Sequence, residues 1–175
     1  KLHRDGSSSV AFGLIEMGQG ALTVVQQMTA EALGVEPSRI TVLPTDTDKV
    51  PDSGPSVASR NVVMTGNAIR DAAGKLLPIL KESAAELMQC DLKEIRIEQD
   101  EVSNIRNTEK LGFAELCNYL YLSNRPMDVL GWWHVPELDY DPINGVGEAY
   151  FTYSYATHIA RVKVDTLTGQ VNVAK

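Results

Sequence analysis

Apolar residues recur along this chain at two periods, and the change between them marks its elements. Ser9-Val10-Ala11-Phe12-Gly13-Leu14-Ile15 alternates as a strand does, and its Gly13 permits close backbone approach. After Gly20 the spacing becomes helical: Leu22, Val25, Met28 (or Thr29) and Ala32-Leu33 fall on one face, and Gly34 supplies a stop. Ile40-Thr41-Val42-Leu43-Pro44 reads as a short strand. A long loop then runs from Thr45 to Ser59, and loops of that length in a folded domain are usually functional or disordered. From Asn61 a long helix is predicted by Val62, Ile69, Ala72-Ala73, Leu76 and Leu80. Gly66 and Gly74 weaken it, and Pro78 is expected to kink or divide it.

Ile95 to Glu98 and a second segment near Val102 predict a hairpin, Phe113 to Leu120 a helix, and Val129 to Val135 a strand. Trp132-Trp133 would place its two rings on opposite faces of that strand. Tyr150 to Val164 alternates as a strand, and Asp165-Thr166-Leu167-Thr168-Gly169 turns it back into Gln170–Ala174. Helices and strands come in mixed order without a regular βαβ repeat. The pattern predicts one α+β domain over residues 1–175, a two-layer sandwich with helices on one side of a mixed, mostly antiparallel sheet.

Composition narrows the function classes. At 175 residues, 43% hydrophobic and 22% charged, the chain can bury a substantial core. Its formal net charge of −7 argues against nucleic-acid binding, which draws affinity from basic surface. No segment approaches the roughly 18 apolar residues of a membrane span, and the N-terminal residues do not read as a signal peptide. Cys90 and Cys117 have neither metal-site nor disulfide-framework spacing and predict reduced thiols in an intracellular, cytoplasmic protein. The chain begins without methionine and ends inside a strand-like run, which reads as a piece of something longer.

The chemistry concentrates in two turns. Glu16-Met17-Gly18-Gln19-Gly20 and Ser53 to Asn61 each end a non-helical stretch and open a helical one. A helix start presents unpaired N–H groups and partial positive charge, so each is a candidate anion site. Gly18 and Gly20 allow positive φ, and Gln19 offers an amide that both donates and accepts. Ser56, Ser59 and Asn61 are candidate N-caps, and any not so used can bond a ligand. Arg60 could contact a phosphate, or be tied to Asp46, Asp48 or Asp52 across the loop. Asp46-Thr47-Asp48 lacks the frame of a calcium loop, and His3, His134 and His158 show no ligand spacing. Spacing alone leaves open a stand-alone nucleotide- or phosphate-binding module, and also a structural domain whose turns only cap helices.

Taken together and in order, Gly13 to Gly20, the helix ending Glu31 to Val35, Asp46-Thr47-Asp48, Pro51 to Ala68 and the hairpin within Tyr150–Lys175 resemble the xanthine dehydrogenase/aldehyde oxidase family. Gln89 to Asp141 matches loosely. The resemblance implies the second molybdopterin-binding segment of a molybdenum hydroxylase large subunit. It implies a cofactor site at Gly18, Gln19, Gly20, Ser56, Ala58, Ser59, Arg60 and Asn61, with Gln19 toward the molybdenum end and Ala58 to Asn61 wrapping the molybdopterin. The metal would be held by the cofactor's own sulfurs, so no protein ligand set is expected. Iron–sulfur clusters and FAD would sit in other segments or subunits, and substrates would be purines, aldehydes or related N-heterocycles hydroxylated with water. The family's general base is a glutamate in a Gly-x-Gly-Glu context, which Gly145-Val146-Gly147-Glu148 imitates. In the family, however, the base follows the hairpin, whereas Glu148 precedes it and continues into Ala149-Tyr150. Glu148 is therefore not assigned; no catalytic residue is expected in the chain, and the isolated piece is expected to be inactive.

Overall fold

Gly34 ends the first helix where the apolar spacing stops. The computed structural model describes residues 1–153 and 155–174; Ser154 and Lys175 lie outside the described residues. Helix α1 (Ala21–Leu33) closes with Gly34 at φ 73°. There Val35 N–H donates to Ala30 C=O and Gly34 N–H to Glu31 C=O, the paired bonds of a left-handed helix cap. Strands β1 (Ser8–Val10) and β2 (Ile40–Val42) flank α1 and pair in parallel, Ser8 against Ile40 and Val10 against Val42. The crossover helix makes that pairing possible, so the chain does contain one β-α-β unit. The first strand is shorter than its alternation predicts, because past Val10 the chain leaves β2 to build the first turn.

Helix α2 (Arg60–Leu87) runs unbroken through Pro78, so the expected division does not occur. Pro78 cannot bond back to Gly74, yet both residues are exposed, and the freed Gly74 carbonyl lies on the solvent side. Strands β3 (Ile95–Glu98) and β4 (Glu101–Asn104) form the predicted hairpin through Gln99 and Asp100, both at positive φ as a tight two-residue turn requires. A third strand, β5 (Lys110–Gly112), extends the sheet on β4. Only Leu111 is apolar in it, which gives no alternation to read. Helix α3 (Phe113–Leu122) buries Phe113, Leu116, Cys117 and Leu120, one full helical stripe.

Residues 129–135 do not form the expected strand. Burial alternates residue by residue through this segment, with Trp132 exposed and Trp133 half-buried, but among the described residues it belongs to no strand. Side chains of α2 hold its middle: Lys75 Nζ donates to Leu130 C=O at 2.9 Å and Trp132 N–H donates to Asp71 Oδ2 at 2.9 Å. Gly131 rests directly on the Ala68 carbonyl, 2.0 Å from where a Cβ would stand.

The chain divides into two compact units, Lys1–His134 and Val135–Lys175. In the first, Ala73, Leu76, Leu80 and Ala84 of α2 meet the α3 stripe, Leu33 of α1, and Ile95 and Val102 of the antiparallel sheet in the main core. Phe12, Leu14, Val25 and Ile69 make a smaller cluster that joins the run-up to the first turn to the N-terminal halves of α1 and α2. The second unit holds two short antiparallel pairs, β6 (Tyr140–Asp141) with β7 (Val146–Gly147), and β8 (Val162–Val164) with β9 (Val171–Val173). The hairpin turn at Asp165–Gly169 forms as predicted, Asp165 N–H donating to Gln170 C=O. Of the long strand expected from Tyr150, which includes Ser154 outside the described residues, Val162–Val164 forms a strand against Val171–Val173, and Ala174 N–H donates to the Arg161 carbonyl. The α+β class stands, with the strands among the described residues shared among four small sheets, three of them antiparallel.

Candidate functional site

The two turns meet at a residue that carries no polar side chain. Ile15 N–H donates to Ser56 Oγ at 2.6 Å. Its carbonyl accepts from Asn61 Nδ2 at 3.1 Å and from Gln19 Nε2 at 2.9 Å. One peptide segment thus binds the first turn to itself and to the second. Gly13 makes the approach possible: a Cβ there would lie 2.1 Å from the Pro51 carbonyl oxygen. On the other side, Thr45 Oγ1 donates to the Leu14 carbonyl at 2.9 Å.

Within the first turn, Gly18 and Gly20 take φ values of 105° and 80°, as expected of them. The start of α1 is occupied by the chain's own carboxylate. Glu16 Oε1 accepts from Gly18 N–H at 2.7 Å and Gly20 N–H at 3.0 Å, and Oε2 accepts from Leu22 N–H at 3.0 Å. These bonds favour the charged form and hold the Glu16 carboxyl below the usual carboxylate range, the Leu22 N–H contributing most. The sequence reading missed Glu16; its signal is an acidic residue placed just before a Gly-x-Gly helix start. Gln19 is likewise engaged, its Oε1 accepting from Met17 N–H at 2.6 Å.

The second turn is different. Ser59 occupies the N-cap position of α2 but its side chain makes no capping bond, and Ala58 takes a left-handed φ of 45°. Ser56 and Asn61 are spent on Ile15. Arg60 Nη2 donates to the Ser53 carbonyl at 2.7 Å, not to an acidic residue; Asp46 takes Lys49 and Asp52 takes the Gly54 N–H. Two buried polar atoms here have no partner, the Arg60 Nε donor and the Asn61 Oδ1 acceptor. So α1 starts on a filled anion site, and α2 starts on an uncapped turn with an unused donor and an unused acceptor.

The other candidates are placed elsewhere. Glu148 leaves β7 with its N–H donated to Asp139 C=O at 2.7 Å and its side chain exposed. Cys117 is fully buried in α3, and burial pushes its thiol up to about 12; Cys90 is half-buried and also raised by burial. Both are free thiols. His3 bonds Ser9 Oγ at 2.5 Å. Two open clefts, about 600 Å³ beside Arg4 and Arg125 and about 620 Å³ beside Glu94 and Asn104, include no residue of either turn. No helix among the described residues is long and apolar enough to cross a membrane.

The α+β scaffold thus ties its two helix-opening turns together through one peptide. The family model for the molybdopterin cofactor-binding domain matches residues 1–175, and the chain belongs to that family. It is 33% identical over 174 residues to xanthine dehydrogenase 2 of Arabidopsis thaliana, covering 99% of this chain and 11% of that protein. It is 32% identical over 173 residues to a probable xanthine dehydrogenase subunit of Bacillus subtilis, covering 98% of this chain and 22% of that one. The chain therefore spans between about a tenth and a quarter of the length of these relatives. Its fold is similar to that of quinoline 2-oxidoreductase from Pseudomonas putida 86, with a TM-score of 0.69 and 23% identity over 98% of this chain and 21% of that structure. A copper- and molybdenum-containing CO dehydrogenase aligns with a TM-score of 0.64 and 24% identity over 75% of this chain and 17% of that one.

Proposed function

We propose that this chain forms one wall of the molybdopterin site in a xanthine dehydrogenase-like molybdenum hydroxylase and acts as a single domain of a longer subunit. The observation that carries the reading is the joined pair of turns, with the unpartnered Arg60 Nε and Asn61 Oδ1 at the open start of α2. The residues that would hold the cofactor are Gly18, Gln19, Gly20, Ser56, Ala58, Ser59, Arg60 and Asn61. When bound, molybdenum-molybdopterin supplies the two-electron redox chemistry by which purines, aldehydes or N-heterocycles are hydroxylated with oxygen from water.

The chain's own residues bind and orient. Arg60 and the first-turn N–H groups of α2 attract an anion, Asn61 Oδ1 accepts from a ring N–H, and the left-handed Ala58 shapes the backbone around the ligand. Gln19 is spent on Met17 and Ile15, so its first task is to hold the turn; contact with the cofactor would exchange one of those bonds. The general base, the iron–sulfur and flavin groups and the substrate pocket would come from other parts of a cytoplasmic assembly. The test is Arg60→Ala and Asn61→Ala in the full-length subunit. Each is expected to lower bound molybdenum per subunit by about tenfold, the scale of a lost charge-assisted or buried hydrogen bond. Undiminished molybdenum in both would overturn the reading.

A further inference from the structure

We propose that Glu16 is a positioning residue for the cradle: its carboxylate locks the first turn and thereby sets the distance and orientation of the second. The inference rests on the cofactor reading above. Both Glu16 oxygens are engaged, on three backbone N–H groups at 2.7 to 3.0 Å. Those N–H groups belong to the start of α1, where the helix dipole favours negative charge, so the carboxylate stays ionised and fixed. A helix cap alone would end there. Here the fixed residue immediately follows Ile15, whose N–H and carbonyl are the attachment points of Ser56 and Asn61. Fixing Glu16 fixes the plane of the peptide that carries the Ile15 carbonyl. That carbonyl holds the Asn61 amide by its nitrogen and leaves Oδ1 turned away and unpartnered.

A second consequence concerns charge. The Gly-Gln-Gly turn resembles an anion site by sequence, but a ligand anion would have to displace a carboxylate already holding three donors. Glu16 therefore steers the anionic end of a ligand from α1 to the uncapped start of α2.

The experiment uses the full-length subunit and reads molybdenum per folded subunit and the thermal unfolding midpoint. Glu16→Gln keeps the side chain's volume and one acceptor oxygen but removes the charge and turns an NH₂ toward backbone N–H groups. Asp100→Asn is the control. Asp100 accepts from Glu36 N–H and pairs with Arg39 beyond the far end of the same helix, about 20 Å away along 13 residues. Glu16→Gln is expected to lose about tenfold in molybdenum content beyond any loss in Asp100→Asn, compared at similar unfolding midpoints. Equal content in the two variants overturns the inference and leaves Glu16 a structural cap. The cofactor reading is tested separately: if Arg60→Ala and Asn61→Ala lose molybdenum and Glu16→Gln does not, only the positioning role falls. If all three retain it, the cradle reading fails and takes this inference with it.

Discussion

Ile15 shows how much of a site can rest on backbone. Its side chain is exposed and contributes nothing polar, yet its peptide groups bind Ser56, Asn61 and Gln19. Residue types pointed to the serine, asparagine and glutamine, because their polarity is visible in a sequence. That they converge on one peptide is visible only in three dimensions. Cys117 is the opposite case, a residue whose type understates its environment. Its thiol is pushed from an ordinary value of 9.0 up to about 12 by burial. A thiol raised on folding contributes its stability below pH 9, and that stability is lost as pH rises toward 12, because the unfolded chain ionises first. Between those limits the cost is about 1.4 kcal/mol per pH unit. Urea unfolding at pH 8, 9 and 10 checks this: the fall above pH 9 should be shallower in Cys117→Ala than in the parent chain. The native thiol should also resist iodoacetamide at pH 8 and react once the chain is unfolded.

At the scale of elements, glycines separate into those that allow contact and those that merely weaken a helix. Gly74 is exposed in the middle of α2, and a Cβ there would meet nothing within 4 Å. Gly74→Ala is expected to stabilise the chain by about 1 kcal/mol, read as a raised urea midpoint at unchanged slope. Gly13 lies against the Pro51 carbonyl, so Gly13→Ala must push the 51–56 loop off the first turn, at a cost of roughly 1–3 kcal/mol. A midpoint unchanged in Gly13→Ala would mean that the loop does not need this approach. The helices, the Gly34 cap and the two hairpins were legible because period, stop signal and turn chemistry agreed locally. The 129–135 segment was misread for an instructive reason. Its alternation is real, and at Leu130 and Trp132 it reports a chain held against α2, but alternation encodes which side is buried and not whether the segment joins a sheet. β5 was missed because three residues with one apolar side chain carry no period at all. Of the two turns, the positive-φ glycines were legible, while the expected capping by Ser56, Ser59 or Asn61 does not occur and the joining of the turns through Ile15 was not visible.

At the scale of the whole chain, burial is divided unevenly between the units. Every buried apolar residue among those described, from Leu2 to Leu120, belongs to the first unit. Residues 135–174 contribute none, although they carry Tyr140, Ile143, Tyr155, Ile159 and Leu167. Their clearest element, the β8–β9 hairpin, sets Val162 opposite Val173 and Val164 opposite Val171 on one face, with Lys163 and Asn172 on the other. Such a face is amphipathic in its sequence, but two strands cannot bury it by themselves, and an isolated hairpin is marginal in water. The relatives, several times longer than this chain, give the family ample further chain against which such a face can pack. In the isolated chain, limited proteolysis should therefore cut first within residues 135–174 and leave 1–134 intact, with amides of the Leu76–Ala84 turns the slowest to exchange with deuterium. In the full-length subunit the same bonds should resist cleavage, because the valine face is covered there. Equal protection of the two units in the isolated chain would show that residues 135–174 are stable without that cover.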